Sequence, residues 1–328
     1  MNYEELASRV VEGHVTTRDE AHALASAPDE ELLALLQAAF RIRARYHGKK
    51  VRVHVLRNAK SGVCPEDCKF CSQSLKYNRA KDVPQYGMQA VGDLVDGARK
   101  AVEMGAVTYC MVTATRGPNG REIEAVSEAA RQIKAEYPGL RLCASLGLLK
   151  EGQAPALKEA GIDRYNHNLE TSPGHFPSIV STHAFEDRVS TVRAARDAGM
   201  EACCGGILGL GEQTMDWVDL ALVLRELEVE SIPLNFLDPR PNTPLADVER
   251  MDPRACLKAL AMFRFVNPRA DLRVAGGREA VLGSLQPLAL YAANSMFTNG
   301  YLTTPGAEPS QDWRMITDAG FEPEVMSA

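Results

Sequence analysis

From residue 51 onward, short β-branched or apolar runs alternate with longer segments whose apolar residues recur every three to four positions. The runs are VRVHVL (51–56), VTYCMVTA (107–114), RLCASL (141–146), DRYNHNL (163–169), EACCGGIL (201–208), SIPLNFL (231–237), DLRVAG (271–276) and NSMFT (294–298). Segments 89–104, 121–136, 185–199, 214–227, 253–266 and 279–291 read as helices with polar outer faces. This alternation is the signature of parallel βαβ units. Eight such runs in an uninterrupted stretch predict an α/β protein with one (β/α)8 barrel of the TIM type over residues 49–305. No Pro/Gly/Ser linker or break in composition divides residues 51 to 300, which argues against two smaller domains. Ahead of the barrel, residues 1–48 read as a helical N-terminal extension. There Thr17 and Glu20 have capping-box spacing, and Pro28-Asp29-Glu30 opens the run LLALLQAAFRIRARY. The extension is expected to cover one end of the barrel or a partner subunit. Residues 306–328 form a tail with a short helix near Gln311 to Asp318.

Composition narrows the function classes. The 328 residues are 45% hydrophobic, enough for a large core. Lys and Arg number 37 against 43 Asp and Glu, a net charge of −6, so no overall basic field points to nucleic acid or acidic lipid. The basic run from Arg41 to Lys50 reads as a solvated helix face. The opening MNYEELASRV is acidic where a signal peptide is basic, and no stretch reaches the roughly 18 apolar residues of a membrane span. A cytoplasmic protein with neither a membrane nor a nucleic-acid partner is expected. Its eight cysteines would then be reduced, which favours metal ligation over cross-links.

Three of those cysteines lie in GVCPEDCKFCSQS (62–74), where Cys64, Cys68 and Cys71 have CxxxCxxC spacing. Three thiolates cannot close a four-ligand zinc site, whereas an iron–sulfur cube held by three cysteines leaves one iron open. The nearest histidines, His47 and His54, are not in the loop. A zinc knuckle with a distant fourth ligand and a disulfide pair are the competing readings.

In a barrel of this kind, chemistry sits at the C-terminal ends of the strands, and the cysteine loop follows the first. Cys110, Cys143, Cys203, Cys204 and Arg273 fall on other strands. A single buried Cys is ordinarily a small apolar residue, but four on neighbouring strands point to a second metal centre. Side-chain alternation sends Cys203 and Cys204 to opposite faces, so one of them faces the lumen. Cys256, in a helix, reads as core.

Asn166, Asn168 and Glu170 occupy alternate positions of YNHNLETS and share a face, with His167 turned the other way; Asn235 ends the sixth strand. Carboxamides suit a neutral urea-like or amide group in a dry pocket, the alternative being strand-end turn residues. GGILGLGE (205–212) does not give GxGxxG, and its glycines are expected to let the backbone approach a bound ligand.

With Phe70 directly before the last cysteine, CxxxCx(aromatic)C resembles the cluster loop of radical S-adenosylmethionine (SAM) enzymes. In those, the open iron binds the amino and carboxylate groups of SAM and the aromatic lies near its adenine. CPEDCKFCSQS, YNHNLETS, GGILGLGE, PLNFL, LRVAGGRE and ANSMF…YLTTP, in that order over about residues 50 to 305, resemble the biotin synthase family.

The resemblance implies a homodimeric barrel with two clusters. Cys64, Cys68 and Cys71 would hold a 4Fe–4S cluster that chelates SAM, and Cys110, Cys143, Cys203 and Arg273 a 2Fe–2S cluster. It implies sulfur insertion into dethiobiotin to give biotin, begun by a SAM-derived 5′-deoxyadenosyl radical, with the second cluster as sulfur source and no side chain as the reacting group. A flavodoxin- or ferredoxin-type protein would donate electrons. Phe70, Asn168 and Glu170 would contact SAM, with Glu170 on the ribose. Asn166, Asn168 and Asn235 would contact the ureido ring of dethiobiotin, and Thr303 and Thr304 its carboxylate.

Motif position and parity favour Cys203 over Cys204. A guanidinium is normally protonated and has no lone pair to give, so Arg273 could instead be a counter-charge beside the cluster. The competing functions are another radical SAM reaction, such as a methylation, rearrangement or lyase step with the strand cysteines merely buried, and an iron–sulfur or zinc protein for sensing or scaffolding.

Overall fold

A computed structural model of the chain describes residues 1–78, 82–302 and 306–325. Its strands are β1 (Lys50–Lys60), β2 (Thr108–Thr113), β3 (Arg141–Ser145), β4 (Arg164–Asn166), β5 (Glu201–Cys203), β6 (Gly206–Leu208), β7 (Ser231–Phe236), β8 (Asp271–Val274), β9 (Ser295–Phe297) and β10 (Glu322–Pro323). The parallel order β1-β2-β3-β4-β5-β7-β8-β9 closes through β9 on β1, with β6 continuing β5 alongside β7. This is the predicted eight-fold barrel, its fifth strand in two pieces.

The break in that strand falls where only glycine fits. A Cβ on Gly205 would lie 1.9 Å from the Pro233 carbonyl oxygen, and one on Gly206 would lie 2.5 Å from the Glu170 carbonyl oxygen. The two glycines therefore admit neighbouring strands, not a ligand as the sequence suggested.

The helices are α1 (Tyr3–Val11), α2 (Arg18–Ala25), α3 (Leu32–His47), α4 (Val91–Glu103), α5 (Gly120–Glu136), α6 (Gln153–Glu159), α7 (Phe176–Ile179), α8 (Phe185–Asp197), α9 (Thr214–Glu226), α10 (Pro253–Val266), α11 (Arg278–Leu282), α12 (Gln286–Ala289) and α13 (Pro309–Asp318). Capping boxes start two of them, Thr17 with Glu20 for α2 and Asn119 with Glu122 for α5. The helix expected over 279–291 is broken into α11, a 3-10 turn and α12, because Gly283 takes φ +50° and Pro287 withholds an N–H.

The N-terminal helices lie on the flank of the barrel instead of across an end, with α2 and α3 against α10 and α2 also against α9. Thr16 joins them to the barrel by donating to the Phe265 carbonyl (2.9 Å) and accepting from Arg225 (2.7 Å). The Arg41–Lys50 run is not one solvated face. Arg43 is fully buried, lies 4.6 Å from the Phe321 ring centroid and donates to the carbonyls of Ala293, Gly48 and Lys50. Burial lowers its pKa to about 10. Among the described residues no helix is long and apolar enough to cross a membrane.

Alternation along the strands separates two chemistries. Val53, Met111, Leu142, Ala144, Tyr165, Ala202, Leu234, Val274 and Met296 join the apolar layers between sheet and helices. Their neighbours Arg52, His54, Cys110, Cys143, Arg164, Asn166, Cys203, Ser231 and Arg273 belong to neither layer and face the barrel interior. TIM barrels usually fill that interior with branched aliphatic side chains. Here ions fill it.

Asp271, 2% exposed, pairs with Arg164 (3.2 Å) and Arg273 (3.5 Å), lies 3.8 Å from Arg52, and accepts from Asn294 (3.0 Å). Arg164 also pairs with Glu201 (2.8 Å), and Arg52 with Glu324 (2.9 Å), which enters beside β10. Burial alone would raise the Asp271 pKa, but the facing Arg164 and Arg273 hold it well below the carboxylate range. Removing one partner of a buried pair leaves a bare charge. Asp271→Ala is therefore expected to lower the unfolding free energy by about 3–5 kcal/mol in urea titration. Glu4→Ala, which breaks the exposed Arg41–Glu4 pair, should cost less than about 1 kcal/mol.

Candidate active site

The cysteine loop leaves β1 and is pinned by its own backbone and by two acids between the first two cysteines. Cys64 donates to the Gln73 carbonyl (3.1 Å), Leu75 to that of Cys64 (2.8 Å), and Cys71 to that of Cys68 (2.9 Å). Asp67 accepts from the backbone of Ser181 (3.0 Å) and Thr182 (3.3 Å) and from the hydroxyls of both. Burial pushes Asp67 up, but the Ser181 and Thr182 donors and Lys76 outweigh it and hold the carboxyl at about 2. Glu66 accepts from Arg116 (3.3 Å), the Thr182 hydroxyl and His183 Nδ1. Sequence reasoning passed over both acids; their place inside the cysteine spacing was the only signal available.

Above the ionic layer, at the C-terminal ends of the strands, lies a cavity of about 290 Å³. Cys64, Phe70 and Cys71 line it from the loop, and Cys110, Cys143 and Arg273 from the strands. The face predicted for Asn166, Asn168 and Glu170 is also there, as is Asn235. Thr303 and Thr304 lie outside the described residues.

Glu170 has left-handed backbone (φ +71°), and its carbonyl accepts from Ile207 of β6 (2.7 Å). Burial raises its carboxyl pKa while Arg188 opposes the shift. Arg188, also missed from sequence, donates to Glu170 (3.0 Å) and the Asn168 carbonyl (2.7 Å), and its NH2 lies 3.9 Å from Cys68 Sγ. His167 is buried, and its Nε2 has no partner.

The strand cysteines converge as parity predicted. Cys110 and Cys143 are register partners on β2 and β3, and the Cys110 and Cys203 thiols are near enough to perturb that of Cys143. Cys203 Sγ receives Asn166 Nδ2 (3.2 Å) and Arg273 NH1 (3.6 Å). Cys204 turns outward into the apolar layer with Ala202 and Leu234, and Cys256 is core in α10.

All eight cysteines are free thiols. Burial pushes Cys71 up to about 12 and Cys203 well up, so a metal must displace a proton at each thiol it binds. Among the described residues, no three His, Cys, Asp or Glu are gathered to hold a single metal ion. Iron–sulfur clusters are held by thiolates that bind different irons, and the donors in the loop and on the strands are free thiols, the ligand chemistry such clusters take. Arg273 Nε, buried without a partner beside Cys203, fits an acceptor in the second set.

The radical SAM superfamily model matches residues 59–224, and the Biotin and Thiamin Synthesis associated domain matches residues 233–322. A biotin synthase of Salinibacter ruber is 61% identical over 321 residues, covering 98% of this chain and 89% of the relative. One of Geobacillus thermodenitrificans is 49% identical over 327 residues, covering 100% of this chain and 98% of the relative. The chain belongs to the biotin synthase family.

Solved structures show how far the fold extends beyond the family. A methylornithine synthase superposes with a TM-score of 0.85 at 19% identity, covering 97% of both chains. An FeFe-hydrogenase maturase from Carboxydothermus hydrogenoformans superposes at 0.81 and 17% identity, covering 99% of this chain and 80% of that one. At such identities the likeness is one of fold alone. The radical SAM match includes the cysteine loop and the Asn166–Glu170 face, and the second match includes Asn235 and Arg273.

The loop clamp makes a prediction of its own. Asp67→Ala removes a charged acceptor from four donors and should destabilise the metal-free chain by about 2–3 kcal/mol, read by thermal denaturation.

Proposed function

We propose that this chain is a biotin synthase, which inserts sulfur into dethiobiotin to complete biotin biosynthesis. The observation that carries the reading is the pairing of sites: a three-cysteine loop and a second inward thiol set with Arg273 line one cavity. Cys64, Cys68 and Cys71 would hold a 4Fe–4S cluster, and Cys110, Cys143 and Cys203, with Arg273, a 2Fe–2S cluster. When bound, the first supplies the electron for SAM cleavage and the second the sulfur.

The protein's own part is placement and exclusion of water, because an alkyl radical attacks almost any C–H bond it meets. Phe70 walls the cavity beside Cys71, where an adenine would stack. Glu170 offers a carboxylate to ribose hydroxyls. Asn235 bridges the Gly206 carbonyl (3.0 Å) and the Gly276 N–H (2.8 Å), and Asn166 is oriented by Cys203, so each presents a fixed carboxamide edge to a ureido ring. Asn168 Oδ1 accepts from the Gly205 N–H (3.2 Å), which fixes the carboxamide between the SAM and dethiobiotin subsites proposed for it. Thr303 and Thr304 are assigned the substrate carboxylate by motif position.

The Arg273 guanidinium sits between Asp271 and Cys203, which supports a charged partner of the second cluster over a neutral ligand. The reading places the catalytic unit in residues 49–305 of a cytoplasmic homodimer, reduced by a flavodoxin- or ferredoxin-type donor.

Anaerobically reconstituted protein with dethiobiotin, SAM and a reductant should form biotin and 5′-deoxyadenosine together. Deoxyadenosine without biotin would leave radical chemistry standing and remove the substrate. Cys203→Ser should abolish biotin formation and reduce iron and sulfide to the content of one cluster, while Cys204→Ser keeps both clusters. The reverse result would move the ligand by one residue.

A further inference from the structure

His183 stands outside every role assigned so far, yet it joins the two halves of the upper site. Its side chain is 2% exposed and hydrogen-bonded at both ring nitrogens. Nδ1 meets Glu66, between Cys64 and Cys68, and Nε2 accepts from Arg188 Nε (2.9 Å). Because a guanidinium only donates, Nε2 must carry the lone pair and Nδ1 the proton, so the ring is a neutral Nδ1–H tautomer. Burial and the Arg188 charge, set against Glu66, lower its pKa and keep that form. Phe176 also meets the ring in a T-shaped contact, with centroids 5.7 Å apart, and Arg188 lies over the same Phe176 at 5.6 Å. The imidazole therefore has one rotamer, one tautomer and two fixed partners.

Arg188 depends on this contact for its aim. Its Nε is held by His183 and its NH1 by the Asn168 carbonyl and Glu170, which leaves NH2 turned towards Cys68 Sγ, with Arg188 itself lining the cavity. Without the acceptor at Nε the fork can swing about its stem, and the planar guanidinium loses its direction. We propose that His183 is a positioning residue that aims Arg188 at the SAM subsite and ties that aim to the cluster loop through Glu66. The inference rests on the reading that SAM binds in this cavity.

An Asn side chain places its amide near the position of Nδ1, and a Gln side chain near that of Nε2, so the two substitutions separate the two contacts. His183→Asn keeps a donor for Glu66 and removes the acceptor from Arg188. His183→Gln keeps an acceptor for Arg188. SAM is titrated into reconstituted wild-type and variant proteins, with the cluster spectrum as signal and iron content measured in parallel.

His183→Asn is expected to weaken SAM binding about tenfold or more with wild-type iron content, because a buried charged donor is left unpaired. His183→Gln should stay within about threefold of wild type, since its Nε contact survives. Unchanged SAM affinity in the Asn variant, or loss of iron along with SAM, would overturn the proposal. So would a tenfold loss in the Gln variant, which decides the matter alone if the Asn variant does not fold. Wild-type protein that fails to bind SAM would instead overturn the reading of the cavity.

Discussion

A carboxylate in the middle of a parallel barrel must have cations around it, and Asp271 organises the interior on that requirement. It faces Arg164 and Arg273, with Arg52 further below. Because both arginines answer to one carboxylate, their positions are correlated, and Ser231 reinforces this by accepting from each at 3.2 and 3.0 Å. The thiol layer rests directly on this set: Cys143 is the register partner of Arg164, and Cys203 receives Arg273. An aliphatic interior would pack as well, and replacing buried ions by apolar residues is often neutral or better for stability. What an aliphatic interior cannot supply is positive charge beneath three thiols. The arginines oppose the upward push of burial on the Cys203 pKa, which favours thiolate chemistry at that depth. The choice of ions over hydrocarbon is therefore intelligible through the site and not through the fold.

The barrel itself was legible, because period-2 and period-3.6 hydrophobicity carry architecture in the eight barrel runs and most helices. What the periodicity could not show was set by contacts between distant backbones. The need for glycine in the gap between β5 and β6 is set by the Pro233 carbonyl, and β10 is two residues paired with the start of β1, too short for any period. Arg43 shows the same limit from another side. In sequence it belongs to a basic run; in space three carbonyls and an aromatic ring replace water around it.

The site divided along a similar line. Cys64, Cys68 and Cys71, and the shared face of Asn166, Asn168 and Glu170, are local patterns and could be read from spacing. Cys203 over Cys204 could also be read, because alternation is local too. The residues that were missed, Glu66, Asp67, His183 and Arg188, act in large part through partners more than one hundred positions away, which only the docked fold brings together. Single acids, a single histidine and a single arginine carry no periodic or spacing signal, however firmly the fold engages them.

The two thiol sets are held by different means, and the difference constrains any reaction that uses both. Cys110, Cys143 and Cys203 sit on ladder-bonded strands above a buried ionic set, the kind of support that fixes a group closely. Cys64, Cys68 and Cys71 sit on a loop, where backbone bonds alone permit movement. A radical made near the loop must reach a carbon that also faces the strand thiols, so the loop has to be referred to the barrel. The two acids between the loop cysteines do this. Asp67 binds the 181–182 segment, and Glu66 reaches Arg188 through His183. Arg188 in turn holds the Asn168 carbonyl and Glu170 at the exit of β4, the strand whose Asn166 touches Cys203. Loop, cavity wall and strand thiols thus form one hydrogen-bonded chain, and distance between the two sets is set by side chains that themselves bind no metal.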